Sequence, residues 1–130
     1  MRFVGSRRGV SDSLLEQMDW AEAETAANTR LALFVAFNYG GRAEILDAAE
    51  RYEGGGEEAF AKLLYAPEMS DPELVIRTSG EKRLSNFLLW QSAYSEFLFS
   101  DVLWPDFDRA ELEAALREYA SRQRRFGARE

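Results

Sequence analysis

Cysteine and histidine are both absent from this chain of 130 residues. Without cysteine there is neither a disulfide framework nor a thiolate metal site. Without histidine no imidazole serves as base, acid or ligand. Any bound metal must be held by oxygen, which points to Mg²⁺ or Ca²⁺. Lysine is nearly missing as well. Lys62 and Lys82 are the only two, so the positive charge is almost all arginine. Basic residues are outnumbered by acidic ones, and the net charge of −7 argues against general nucleic-acid binding. No apolar run reaches the roughly 18 residues that a membrane-spanning helix needs. Nothing at the amino end reads as a secretory leader, so the expectation is a cytoplasmic protein that does not span a membrane.

What is present describes a folded α/β chain. Hydrophobic residues make up 46% and aromatic residues 13%, too much for a disordered segment. The length predicts a single domain over residues 1–130. Met1 to Gly5 reads as the end of a strand. Ser11 to Ala27 reads as a helix, with Leu14, Met18, Ala21 and Thr25 near 3.6 spacing and Ser13 with Glu16 as a capping box. Leu31 to Phe37 is an unbroken apolar run, which suits a strand buried on both faces of a parallel sheet. A helix over Arg42 to Tyr52, the breaker Gly54-Gly55-Gly56, a short helix over Glu57 to Tyr65 and a strand over Leu74 to Thr78 follow. Ser85 to Phe99 reads as a helix that is apolar almost all round. Such a helix must be covered on most sides, so a partner subunit is the expected cover. The last helix starts at Asp108, a good N-cap, with Glu111 completing a capping box. The pattern predicts a partial parallel sheet with flanking helices.

The segment Leu74-Val75-Ile76-Arg77-Thr78-Ser79-Gly80-Glu81-Lys82-Arg83-Leu84-Ser85 carries the chemistry. A short apolar run ends in arginines, hydroxyls, a glycine and a glutamate. Strand, polar turn and helix is how α/β proteins build anion sites. Arg77 and Arg83, with hydroxyls around them, suit a diphosphate, because guanidinium offers a planar fork of donors and keeps its charge. Each residue has a plainer reading too. Arg77 could pair with Asp71 or Glu73. Arg83 could be a surface residue, although a cation at a helix start opposes the dipole unless an anion is near. Ser85 could simply cap the helix. Glu81 could support the arginines or cap through Thr78. Glu96 sits among Phe97, Leu98 and Phe99, where a carboxylate needs a cation or donors, unless it faces solvent. Asn38-Tyr39-Gly40-Gly41-Arg42 has the look of a phosphate loop but lacks the full dinucleotide pattern. Arg117, Arg122, Arg124, Arg125 and Arg129 crowd the end of the chain, which alone reads as a solvated helix face.

The same segment resembles the signature of the cis-prenyltransferases, the isoprenyl transferases typified by undecaprenyl diphosphate synthase. The resemblance continues through Ala93-Tyr94-Ser95-Glu96-Phe97 and Trp104-Pro105-Asp106-Phe107, with Asn38 to Arg42 as a second block and Thr25 to Thr29 as a weaker third. It implies that isopentenyl diphosphate is held by Arg77, Arg83 and Ser85. Asn38, Arg42 and Glu81 become secondary contacts. Arg125 and Gly127, in an Arg-x-Gly, would reach the diphosphate site. Glu96 would assist Mg²⁺. The partners it implies are isopentenyl diphosphate, an allylic prenyl diphosphate, and a second copy in a homodimer or a complementary subunit, with peripheral membrane contact through the lipid product.

One departure is equally informative. Members of that family open with a His-Gly-Asn-Gly-Arg-Trp type block, preceded by the Asp that serves magnesium and catalysis. This chain has neither, so it resembles the carboxyl-terminal half and carries no catalytic Asp. Three readings stay open: an isoprenyl transferase present only as its isopentenyl-diphosphate half, a non-catalytic accessory subunit, or a truncated gene product.

Overall fold

The structure, a computed structural model, describes residues 1–122. It is α/β with parallel strands, as the sequence predicts, and it falls into two compact units, Met1–Met69 and Ser70–Glu130. No described helix is long and apolar enough to cross a membrane.

The first unit is built on a two-stranded parallel sheet. β1 (Arg2–Val4) pairs with β2 (Phe34–Ala36), Arg2 beside Phe34 and Val4 beside Ala36. Helix α1 (Asp12–Thr25) makes the crossover that parallel strands require. Ser11 is its N-cap, not Ser13, and its side chain makes no capping bond. Glu22 of α1 accepts the Phe3 amide at 2.6 Å, which ties the helix to the strand. Gly5 ends β1 at φ +144, and a Cβ there would stand 2.0 Å from the Phe37 carbonyl oxygen. Only glycine tolerates that approach.

Helices α2 (Gly41–Ala49) and α3 (Gly56–Ala61) complete the unit. Both are shorter than the sequence predicts. Gly54, Gly55 and Gly56 all have positive φ, so the triplet starts α3 and does not cap α2. The core is small: Val4, Met18, Ala48, Leu64 and Ala66. Glu44 of α2 is fully buried inside it. Its carboxylate accepts from the Tyr39 hydroxyl at 2.5 Å and from the Tyr65 amide at 3.0 Å. Tyr65 in turn donates its hydroxyl to Asp47 at 2.5 Å. A buried carboxylate needs such donors to offset lost hydration.

This network has a titration signature. Burial, then the Asp47 hydrogen bond and the charges of Asp47 and Glu44, push the Tyr65 phenol up from 10.0 to about 12. The folded state therefore holds this proton more tightly than the unfolded chain. Its contribution to stability is complete below pH 10 and is lost as pH rises through about 12. Denaturant melts across that window should show stability falling with pH, and Tyr65→Phe should flatten the fall. An equal slope in both proteins would mean that Tyr65 titrates normally.

The second unit holds another two-stranded parallel sheet, β3 (Leu74–Arg77) with β4 (Glu96–Phe99). The register sets Leu74 beside Glu96 and Arg77 beside Phe99. A 3-10 turn over Trp104–Asp106 leads to α4 (Arg109–Ser121). Asp108 caps α4 as expected, its carboxylate accepting the amides of Ala110 and Glu111.

The predicted helix over Ser85 to Phe99 does not form. Residues 85–94 are turns, and Glu96–Phe99 is β4. Ser85, Asn86 and Leu88 have φ of 50°, 66° and 43°, which an α-helix of L-residues does not allow. Burial in this stretch is partial, and Phe87, Tyr94 and Phe99 stay exposed at 39%, 75% and 45%. Leu88, Gln91 and Ser92 are buried within the turns, and Leu98 is buried on the strand. Phe97 and Phe99 stack on one face of β4, with ring centroids 6.1 Å apart.

Candidate functional site

Residues 78–95 join two parallel strands without a helix, and this crossover places the arginines. Arg77 is the last residue of β3. The turn after it is clamped to the segment beyond β4. Ser79 donates its amide to Val102 O at 2.8 Å, Gly80 to Ser100 O at 3.0 Å, and Ser100 to Arg77 O at 2.8 Å. The amides of Ser79 and Gly80 are thus already used, and no helix N-terminus follows. The expected strand-turn-helix arrangement is absent, and the guanidinium groups of Arg77 and Arg83 are the charged donors this stretch places in a cavity.

Those groups share one cavity of about 220 Å³. Arg77 and Arg83 line it together with Val75, Ile76, Leu84, Phe87, Phe97 and Phe99. Strand alternation explains the wall, because Val75, Arg77, Phe97 and Phe99 lie on one face of the β3–β4 pair. Arg83 forms an ion pair with Glu81, which orients it. Arg77 has no ion-pair partner among the described residues, so neither Asp71 nor Glu73 neutralises it. Two cations on an apolar box are chemically suited to a small amphiphile with an anionic head. The volume is below the roughly 300–1,000 Å³ of pockets for drug-sized ligands, so a long hydrocarbon chain does not fit.

Other sequence candidates fall elsewhere. Ser85 is exposed, stands at positive φ and does not line the cavity; it caps no helix. In the first unit, Asn38 is committed to structure: its side-chain amide donates to Ser6 O at 2.7 Å and Arg8 O at 3.2 Å. Arg42 stands exposed in the first turn of α2. Arg125 and Gly127 lie outside the described residues.

Glu96 lies on the opposite face of the β3–β4 pair from Arg77 and at its other end, roughly 10 Å along the strand at about 3.3 Å per residue. Its carboxylate meets Arg122, at the C-cap of α4, at 2.9 Å. The same guanidinium nitrogen donates to Phe97 O at 2.9 Å, and the other holds Glu118 at 2.5 Å. Hydrogen bonds to Glu118 and Glu96 raise the Arg122 guanidinium above its ordinary value. Among the described residues no group of three acidic, histidine or cysteine side chains converges to hold a metal.

Arg122→Ala should remove the tie between α4 and β4 and strand two half-covered acceptors. The expected loss is about 2 kcal/mol in urea melts, typical of charge-assisted hydrogen bonds. An unchanged melting curve would show that the pair is ornamental.

Sequence reasoning missed the aromatic wall and the Arg122 clamp. Alternation of Phe97 and Phe99 was the available signal for the first. Spacing of Glu118 and Arg122 at i, i+4 was the signal for the second.

Comparison with known proteins adds an independent line. The family described as putative undecaprenyl diphosphate synthase matches residues 1–127. An isoprenyl transferase of Fusobacterium nucleatum is 51% identical over 128 residues, spanning 95% of this chain and 55% of that protein. One from Thermotoga maritima is 47% identical over 136 residues, spanning 98% of this chain and 58% of that protein. This chain is thus little more than half as long as the curated relatives it matches. Among solved structures, a probable undecaprenyl diphosphate synthase from Campylobacter jejuni superposes with TM-score 0.90 at 34% identity, covering 98% of this chain and 62% of that one. Lavandulyl diphosphate synthase from Lavandula x intermedia, in complex with dimethylallyl diphosphate, gives 0.92 at 34% identity, covering 98% and 59%.

Proposed function

Because this chain belongs to the undecaprenyl diphosphate synthase family of isoprenyl transferases, we propose that it is the isopentenyl-diphosphate-binding half of a cis-prenyltransferase. By family it is a prenyltransferase. The whole reaction condenses isopentenyl diphosphate with an allylic prenyl diphosphate. One observation supports this half's share most: Arg77 and Arg83 line a single small cavity whose other walls are apolar. A five-carbon diphosphate has that polarity and that size.

Each part has a physical task. The two guanidinium groups neutralise and orient the diphosphate. Phe87, Phe97 and Phe99 bury the hydrocarbon and exclude water. Glu81 holds Arg83 in place. Ser85, Arg125 and Gly127 are proposed as further contacts made when the substrate and the rest of the enzyme are in place.

Mg²⁺ is the metal we assign to the whole enzyme, with Glu96 as one carboxylate toward it. The described residues do not make that site by themselves, since Glu96 and Glu118 are both bound by Arg122 and no group of three acids converges among them. We treat the chain as one incomplete domain acting with a second copy or a complementary subunit. The accessory-subunit reading is second, and the intact arginine pair weighs against it.

Calorimetric titration tests the proposal. Isopentenyl diphosphate should bind the isolated chain with higher affinity than inorganic diphosphate, because the aromatic wall covers its hydrocarbon. Equal affinity for the two would remove the apolar wall from the site. Absence of binding to either would reject the reading.

A further inference from the structure

Glu96 and Glu118 share one counter-ion, and the chain itself supplies it. Arg122 Nη1 donates to Glu96 Oε2 and to the Phe97 carbonyl, each at 2.9 Å. Its Nη2 donates to Glu118 Oε1 at 2.5 Å. Three oxygens, from β4 and α4, therefore converge on a single guanidinium. They are two carboxylate oxygens and one carbonyl, the hard donors that Mg²⁺, Ca²⁺ and Mn²⁺ take. The group is open to a hydrated ion, since the side chains of Arg122 and Glu96 are 26% and 32% exposed. Arg122 is also the C-cap of α4, where the backbone turns extended at φ −78 and ψ 142. Its contact with Glu96 thus ties the end of the helix to the first residue of β4.

We infer that Arg122 is an autoinhibitory counter-ion of Glu96: its guanidinium and a divalent cation compete for the same carboxylate, and the guanidinium must be displaced before Glu96 can serve a metal. This rests on the reading above that turns Glu96 toward Mg²⁺. Charge decides the competition. With Arg122 in place the two carboxylates and the guanidinium carry a net charge of −1; without it the same oxygens carry −2. Mg²⁺ dehydrates reluctantly and is held through one or two carboxylates, so Glu96 and Glu118 suffice for weak binding once the cation between them is gone. Against an intact Arg122 a single carboxylate does not win, because the guanidinium is held by two charge-assisted hydrogen bonds and a third to the carbonyl. Glu96 is therefore released only when a cation brings further ligands with it. A purely structural clamp would behave differently, since removing its charge would change stability and leave cation binding where it was.

The test uses the chain itself and Mn²⁺, a paramagnetic ion of the same oxygen preference, followed by the broadening of amide signals in NMR. Arg122→Gln removes the charge and keeps a donor for the Phe97 carbonyl. This variant should show saturable broadening centred on Glu96, Phe97 and Glu118, with an affinity about tenfold or more above that of wild type. Wild type should show no such centre in the range where the variant saturates. Adding Glu96→Gln to the variant should abolish the gain. Where Arg122→Gln does not fold, Arg122→Met, which keeps the packing stem without the charge, is read in the same way. Equal broadening at these residues in wild type and variant overturns the inference. So does a folded variant without localised broadening, or a gain that survives Glu96→Gln. None of these readouts uses a diphosphate, so the blocking contact and the anion site of Arg77 and Arg83 can fail separately.

Discussion

Arg77→Ala and Arg83→Ala should each lower the affinity for isopentenyl diphosphate by about 2 kcal/mol, roughly thirtyfold in Kd, the scale of a charge-assisted hydrogen-bond pair. The two are not expected to be equal. Arg77 carries no compensating acid, so its whole charge is available to the ligand, whereas Arg83 shares its charge with Glu81. Arg77→Ala should therefore be the more damaging. Arg83→Lys should restore only part of the loss, because an ammonium supplies charge without the planar fork. Neither arginine packs in the core, so the variants should melt like wild type. Equal affinity across wild type and all three variants would place the diphosphate elsewhere.

The largest expected effect is an absence of turnover. With radiolabelled isopentenyl diphosphate, farnesyl diphosphate and Mg²⁺, the chain by itself should give no lipid-extractable product. The reason is chemical. Ionising an allylic diphosphate leaves a negative charge that a divalent cation must neutralise, and that cation needs several oxygen ligands. The described residues offer Glu96 already bound by Arg122, and the sequence has no block resembling the family's Asp-containing opening. Adding the complementary portion of a relative should restore transfer if the anion site is competent. Robust product from the chain alone would show that another carboxylate set serves the metal.

How much of this was legible in the sequence depends on the range of the interaction. Leu74–Arg77 was readable as a strand because a short apolar run ends in a charge, and the arginine pair was readable because both residues belong to one short segment. Asp108 was readable as a cap because the bond it makes is local. The segment from Ser85 to Phe99 was misread. Its apolar residues occur at almost every spacing, so helical and strand periodicities fit equally well. The deciding facts are left-handed φ values at Ser85, Asn86 and Leu88 and the pairing of β4 with a strand about twenty residues earlier. Long-range pairing of that kind leaves no local mark. Glu44 was equally opaque. A glutamate in an amphipathic helix reads as solvent-facing, and only Tyr39 and Tyr65, arriving from either side, make its burial tolerable.

The misreading of Ser85 to Phe99 has consequences for assembly. The reason to expect a partner was an apolar helix, and that helix is absent. The stronger reason lies in the first unit, where an interior-type strand is exposed. In the second unit the arginines and the aromatic wall come from one strand pair and its crossover, so the anion site does not need the first unit to shape it.

That local origin is the central claim, and isotope-edited NMR tests it most directly. On titration with isopentenyl diphosphate, the side-chain Nε–H signals of Arg77 and Arg83 and the amides of residues 77–87 and 97–99 should shift together along one saturating curve. Signals of residues 1–69 should stay in place. Saturable shifts centred on Asn38 to Arg42, with residues 77–87 unmoved, would contradict it.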